Sequence, residues 1–320
     1  MVGKVTPNDM ATASVAPVLL MKAHPYMTKN ELLKQCLEAR QGIEPAFQGN
    51  EATGWGDRLE RIVLQTAVER LGLSDAVLDI DKPAFHPDIP LACSLDGAGQ
   101  GDGQTITADP SKGIYVIGGD SIVLDGDGVL ECKVTSVKPE DMPALHRGPI
   151  QMQAQMMCCE YKWGALCILY RGIELRIFLF EAHAGTQAAI ADAVNDFDLR
   201  LNAAGGPEWY DIEHPTDPRI IFTEDDGGEV PVILDEDAAK TAEEIEIAKK
   251  GIKYFEEVIE QANLHLQAMM GNHALAYAGS FEIKWGTRNY KAQPEKVTPA
   301  KPARSERAKT VTVKRKKDAA

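Results

Sequence analysis

Five consecutive residues, Leu130-Glu131-Cys132-Lys133-Val134, constrain this chain more than any other stretch. Side chains alternate along a strand, so Glu131 and Lys133 project from one face while Leu130, Cys132 and Val134 enter a core from the other. Such a strand needs a sheet around it and an apolar layer beneath it. Upstream, residues 55–73 have the spacing of a strong helix closed by Gly72, and 30–38 that of a shorter one. Residues 89–94 read as a strand and 97–103 as a turn-rich loop. Residues 114–117 and 121–124 read as a hairpin across Gly118, Gly119 and Asp120, and a second turn at 125–128 leads into a strand at 129–134. A helix from about 149 to 161, strands at 165–170 and 175–181 joined through Arg171 and Gly172, and a helix at 187–201 follow. That order predicts an α/β core with a mixed sheet flanked by helices.

The predicted division is a core over residues 1–205, a connector over 206–234, a helix and short hairpin over 235–290, and a basic disordered tail over 291–320. The helix at 235–270 is rich in Ala, Glu and Lys, with Gly251 as a candidate break. Its length invites a coiled-coil reading; a single amphipathic helix packed on the core or on a partner helix is preferred. The 320 residues are 44% hydrophobic with a net charge of −14, which excludes a disordered acidic chain. The charge is uneven. From Lys291 onward ten Lys and Arg face three Asp and Glu, so that stretch carries +7 and the remainder −21.

Six cysteines without a CxxC pair, most of them in apolar runs, read as reduced core residues rather than a disulfide framework or metal cluster. Seven scattered histidines without HxxxH spacing argue against a zinc hydrolase. Gly97 to Gly103 does not supply a dinucleotide-binding GxGxxG, and 120–131 lacks the ligand pattern of a calcium loop. No run approaches the roughly 20 apolar residues of a membrane span, and no basic run precedes the apolar stretch near residue 13, so a cytoplasmic protein without a membrane partner is expected.

Three positions raise the interest of Glu131 and Lys133. Asp96 ends the strand at 89–94, where an Asp-Gly turn is the ordinary explanation, yet the topology can bring it beside Glu131 at one sheet edge. Glu60 falls in the middle of the apolar arc formed by Leu59, Val63, Leu64, Ala67, Val68 and Leu71. A carboxylate there calls for a partner, either a buried cation in a salt bridge or a metal or charged active-site wall. Gln153 projects among Ile150, Met156 and Met157 and can be a satisfied core amide or can hold a phosphate or water. Two carboxylates with oxygen ligands suit Mg²⁺, and a neighbouring lysine can orient or deprotonate an attacking water.

Gly54-Trp55-Gly56-Asp57-Arg58-Leu59-Glu60, Ala92-Cys93-Ser94-Leu95-Asp96-Gly97, Leu130-Glu131-Cys132-Lys133 and Gln153-Ala154-Gln155 occur in this order. The chain thereby resembles the lambda exonuclease type of phage recombination nuclease, the YqaJ-like branch of the PD-(D/E)xK superfamily, over residues 11–181. The resemblance implies a restriction-endonuclease-like core and a two-metal site. Glu60, Asp96, Glu131 and Lys133 form that site and Gln153 completes it, with the main-chain carbonyl of Cys132 as a metal ligand. It implies two Mg²⁺ ions, with Mn²⁺ as a substitute. Thr12-Ala13-Ser14, followed by His24-Pro25-Tyr26, is similar to the family's N-terminal region, so Ser14 falls where a DNA 5′-phosphate is held. The family's Arg seven residues before that Ser falls at Pro7, leaving Lys4, Lys22 or Lys29 to take its place. The insertion at 98–128 reads most economically as an elongated hairpin.

The function implied is Mg²⁺-dependent 5′-to-3′ exonuclease action on linear double-stranded DNA. It leaves a 3′ strand for a single-strand annealing protein, and the family's assembly is a ring-shaped homotrimer. The alternatives are a structure-directed or restriction-like endonuclease on the same core, and a non-catalytic DNA-end-binding recombination adaptor. Lys314, Arg315, Lys316 and Lys317 add sequence-independent DNA contact, dock a partner or form a plain soluble terminus.

Overall fold

The computed structural model describes residues 6–43, 49–224 and 232–287, and the chain divides into two units, Met1–Ile221 and Phe222–Ala320. The first begins with β1 (Ala11–Thr12), α1 (Ala16–Leu20), α2 (Lys29–Arg40) and α3 (Glu51–Leu71). It continues with β2 (Asp75–Leu78), β3 (Ala84–Phe85), β4 (Leu91–Cys93), β5 (Gly97–Thr107), β6 (Ile114–Val116) and β7 (Ser121–Thr135). Then come α4 (Pro149–Cys159), β8 (Trp163–Tyr170), β9 (Glu174–Glu181), α5 (Ala184–Leu201) and α6 (Asp217–Ile221).

Local chemistry sets the helix ends. Thr28 and Glu31 form a reciprocal capping box on α2, and Asn50 and Thr53 do the same on α3, which stops at Gly72 in the left-handed conformation. The main sheet runs β2-β5-β7-β8-β9-β6, with β7–β8 and β6–β9 parallel and the other pairs antiparallel. A small second sheet, β1-β4-β3, ties the N-terminal segment to the strand that leads into Asp96. On one face of the main sheet, α3 covers Leu124, Leu130, Cys132, Ala165, Cys167, Ile177 and Leu179. On the other, Val129, Leu166, Ile168, Tyr170, Phe178 and Phe180 pack with residues of α1, α2, α4 and α5. The fold is therefore mixed α/β with helices on both sheet faces, and the alternation anticipated for Leu130, Cys132 and Val134 places them on the α3 side.

Several expectations are corrected. Residues 97–103 are not a loop: they open the eleven-residue β5, whose glycines allow close pairing. A Cβ on Gly101 would strike the Leu124 carbonyl, and one on Gly128 would strike the Trp163 ring. Residues 114–117 and 121–124 do not pair with one another. Ile114–Val116 instead adds in parallel to β9, while Ser121 begins the fifteen-residue β7 that pairs back to β5 and runs through the predicted second turn. The elongated hairpin expected of the insertion is that β5–β7 pair. Part of the predicted connector also belongs to the first unit: Tyr210 exchanges hydrogen bonds with the Asn30 side chain, and Asp217 accepts one from Thr28.

In the second unit, α7 (Glu236–Met270) is continuous through Gly251 and is followed by an antiparallel hairpin, β10 (Leu275–Ala278) with β11 (Phe281–Lys284). Lys314 to Lys317 and Lys4 lie outside the described residues. Cys93, Cys132, Cys158, Cys159 and Cys167 are free thiols, and among the described residues no helix is long and apolar enough to cross a membrane.

Candidate active site

The site forms where β5 leaves β7. Pairing between them begins at Gly97 and Leu130, so beyond that point β7 has lost its neighbour on one side while β8 still pairs on the other. Asp96, the residue just before β5, fills the gap: its Oδ2 accepts a hydrogen bond from the backbone N–H of Cys132 at 2.8 Å. A backbone donor that the sheet would otherwise orphan is satisfied by a carboxylate.

Glu131, one residue earlier on β7, points to the α4 side and is 2% exposed. Both of its oxygens accept hydrogen bonds. Oε1 accepts from Lys133 Nζ and from Gln151 Nε2, both at 2.6 Å, and Oε2 accepts from Gln155 Nε2 at 2.6 Å. Gln155 Nε2 also donates to the carbonyl of Ser94 at 3.0 Å, linking α4 to the strand end that carries Asp96. Glu60 reaches the same region from α3 on the opposite sheet face.

Electrostatics joins the four charged groups. Burial, then Glu131, pushes Asp96 up to about 8, against the pull of Lys133 and the Cys132 N–H. Glu60 is raised by burial first and then by Glu131, with Lys133 again opposing. Burial works against the Lys133 charge, but Glu131 and Asp96 outweigh it and its pKa is raised, so Lys133 is a firm ammonium. Burial and mutual repulsion make full ionisation of the three carboxyl groups costly beside a single lysine, so Asp96 and Glu60 are held toward their protonated forms.

The hydrogen bonds of Gln153 are those of the satisfied amide, one of its two sequence readings. Its Nε2 donates to the Glu181 carbonyl at 2.8 Å and its Oε1 accepts from the His183 N–H at 2.9 Å, so it fastens α4 to the start of α5, and its amide is not among the hydrogen-bond partners of Glu131. Gln151 and Gln155 take the positions beside the carboxylate instead. They were legible as an i, i+4 pair on one helix face, a signal that the phase of the QxQ motif obscured. Ser14 lies in the turn at Ala13–Val15, exposed, with its Oγ 3.0 Å from Thr12 Oγ1. Lys22 and Lys29 line one cleft with His24, Asn30, Tyr210 and His214.

Among the described residues no three His, Cys, Asp or Glu side chains are grouped closely enough to hold a metal ion as they stand. The donor chemistry nevertheless fits a hard divalent cation. Asp96, Glu131 and Glu60 supply oxygen only, they repel one another, and Gln155 Oε1 is a buried oxygen with no hydrogen-bond partner. Lys133 occupies the neutralising role beside Glu131 that such an ion would share.

No protein-family model and no curated protein sequence matches the chain. Two crystal structures of the alkaline exonuclease LHK-Exo, from Laribacter hongkongensis, are similar to it. One, in complex with dAMP, is 21% identical over 62% of this chain and 90% of that chain with a TM-score of 0.43; the other is 20% identical over the same shares with the same TM-score. A phage-related exonuclease from Haemophilus somnus 129PT is 10% identical over 59% of this chain and 92% of that chain, with a TM-score of 0.39. These structures are exonucleases, and the chain is similar to each of them at low identity.

Proposed function

We propose that this protein is a metal-dependent deoxyribonuclease that resects linear double-stranded DNA from 5′ ends. The observation that carries the reading is the Asp96–Cys132–Glu131–Lys133 arrangement at the point where β5 departs, with Glu60 within electrostatic reach. A ligand-oxygen cluster with one fixed ammonium, opened on one side of a sheet, suits phosphodiester hydrolysis better than chemistry that needs a neutral base.

Asp96, Glu131 and the Cys132 carbonyl, with Glu60 as an additional ligand, would hold two Mg²⁺ or Mn²⁺ ions. Bound there, the ions would supply Lewis-acid activation of water and charge stabilisation on the leaving oxygen. Lys133, held as an ammonium, orients the attacking water by donating to its oxygen and does not take its proton. Gln151 and Gln155 fix the orientation of the Glu131 carboxylate, a supporting role that amides behind a ligating carboxylate commonly fill. Ser14, exposed in the turn that follows β1, binds the 5′-phosphate of the DNA end, and a basic tail at Lys314 to Lys317 adds non-specific backbone contact. The 3′ strand left behind passes to a single-strand annealing protein, and the active assembly is a homotrimer in the cytoplasm.

The test uses purified full-length protein, Mg²⁺ and linear duplex labelled at the 5′ or the 3′ end, with a closed circle alongside. Early release of 5′ label as mononucleotide, a lasting 3′ label and an intact circle are the expected results. Cutting of the circle would convert the reading to an endonuclease, and no release with Mg²⁺ or Mn²⁺ would leave a DNA-end-binding adaptor.

A further inference from the structure

The second unit carries an apolar seam that stays largely exposed among the described residues. Along α7, Ala238, Thr241, Ile245, Ala248, Ile252, Phe255, Ile259, Ala262, Leu266 and Met269 recur at alternating steps of three and four residues without a break. Written as a heptad, positions a are Ala238, Ile245, Ile252, Ile259 and Leu266, and positions d are Thr241, Ala248, Phe255, Ala262 and Met269. Ile252 is 59% exposed, Phe255 64% and Ile259 61%, and neither apolar cluster of the described residues includes them. The intrahelical ion pairs Lys250–Glu246 and Lys253–Glu257 sit on the outward b and f positions, so they leave the seam clear. Ile247 and Tyr254 at c and Val258 at g widen it on the d side.

We propose that α7 pairs antiparallel with α7 of a second copy of this chain, about a two-fold axis between Ile252 and Phe255. The argument is volume matching. In the antiparallel register that overlaps the two helices along nearly their whole length of about 52 Å, every layer sets a larger residue against a smaller or complementary one. Ala238 faces Met269 of the other copy, Thr241 faces Leu266, Ile245 faces Ala262, Ala248 faces Ile259 and Ile252 faces Phe255. A parallel in-register pair stacks Phe255 on Phe255 and leaves Ala248 on Ala248 and Ala262 on Ala262. Overfilled and underfilled layers then alternate, and both cost stability.

The flanks agree. In the antiparallel register Lys249 faces Glu256, Glu244 faces His265, Ala242 faces Asn263, and Gly251 faces Val258, where the missing side chain admits the larger one. No like charges meet. A helix seam that is self-complementary in both volume and charge needs only another copy of itself, which is the requirement for a closed two-fold interface. The pairing rests on α7 alone and is independent of the nuclease reading.

Light scattering on full-length protein at micromolar concentration tests the partner, and cysteine pairs test the direction. The expected mass is an even multiple of the protomer, six copies where the cores also form the proposed trimer, halved by Phe255→Glu and by Lys249→Glu, with Lys249→Glu plus Glu256→Lys restoring it. Helical circular dichroism unchanged in Phe255→Glu separates lost pairing from lost folding. Oxidation should cross-link the double variant Ala248→Cys plus Ile259→Cys between copies, since those positions lie too far apart on one helix to bridge within it, and should leave each single variant unlinked. A monomer, meaning α7 covered by its own chain, an odd multiple unaffected by Phe255→Glu, or cross-linking of Ala248→Cys alone, the mark of a parallel pair, would each overturn the proposal.

Discussion

The Asp96 carboxylate accepts the Cys132 backbone N–H at 2.8 Å at the place where the sheet stops supplying that donor with a partner. One side chain thus closes the strand edge and places a carboxylate beside Glu131. Asn at position 96 keeps an acceptor for the N–H but removes a charge that burial and Glu131 disfavour. Asp96→Asn should therefore hold or raise the melting temperature while lowering cleavage of linear duplex by more than about 100-fold. Retained activity in a single-turnover assay would remove Asp96 from the site.

Lys133→Met tests the ammonium. Glu131 is 2% exposed and would lose its only cationic hydrogen-bond partner among the described residues. A fully buried broken pair costs roughly 3–5 kcal/mol; with 34% of the Lys133 side chain exposed, about 2 kcal/mol is the expected loss in chemical denaturation. Cleavage should fall by about 10²–10⁴-fold, with DNA-end binding retained in a gel-shift assay.

The two glutamines of the QxQ motif should separate cleanly. Gln155→Leu releases Glu131 from one of its three hydrogen bonds and should lower activity by about 10–100-fold. Gln153→Leu strips the Glu181 carbonyl and the His183 N–H of their partner and should cost about 1–3 kcal/mol of stability with cleavage at low temperature little changed. Equal activity loss in both, measured below their melting transitions, would contradict the division of roles.

Gly128→Ala should destabilise by about 1–3 kcal/mol, because the added methyl group meets the Trp163 ring, which is anchored by its Nε1 donating to the Gly126 carbonyl at 3.2 Å. The near-ultraviolet circular dichroism of the tryptophans reports the disturbance.

His24 supplies a pH dependence away from the carboxylates. Burial and then the His146 ring beside it hold its pKa below the ordinary 6.5, while Tyr26 packs edge-on against both rings. The unfolded chain therefore binds the proton first, so this contribution to stability is intact above 6.5 and declines as pH falls through the lowered folded value. In His146→Gln the His24 proton resonance should titrate at a higher pH than in the parent protein.

Periodicity made much of this protein legible. Helix α3, the strand through Glu131 and Lys133, the β8–β9 pair and the full length of α7 all follow from spacing that each segment carries within itself, because side-chain direction in a helix or strand repeats locally. The placement of Leu130 and Cys132 in the core, opposite Glu131, is of that kind. What spacing could not reveal was which distant segment each strand would pair with. Gly97 to Gly103 looks like a loop because glycine is a poor strand former by itself; it opens β5 because β7 and the leucines around it press too close for any larger residue. Ile114–Val116 joins β9 rather than its neighbour in sequence for the same reason, a partner available only in the folded chain. The site divides likewise. The residue types were set by sequence, whereas the rotation of α4 that turns Gln151 and Gln155 toward Glu131, and Gln153 toward the start of α5, was decided by how that helix packs against the sheet.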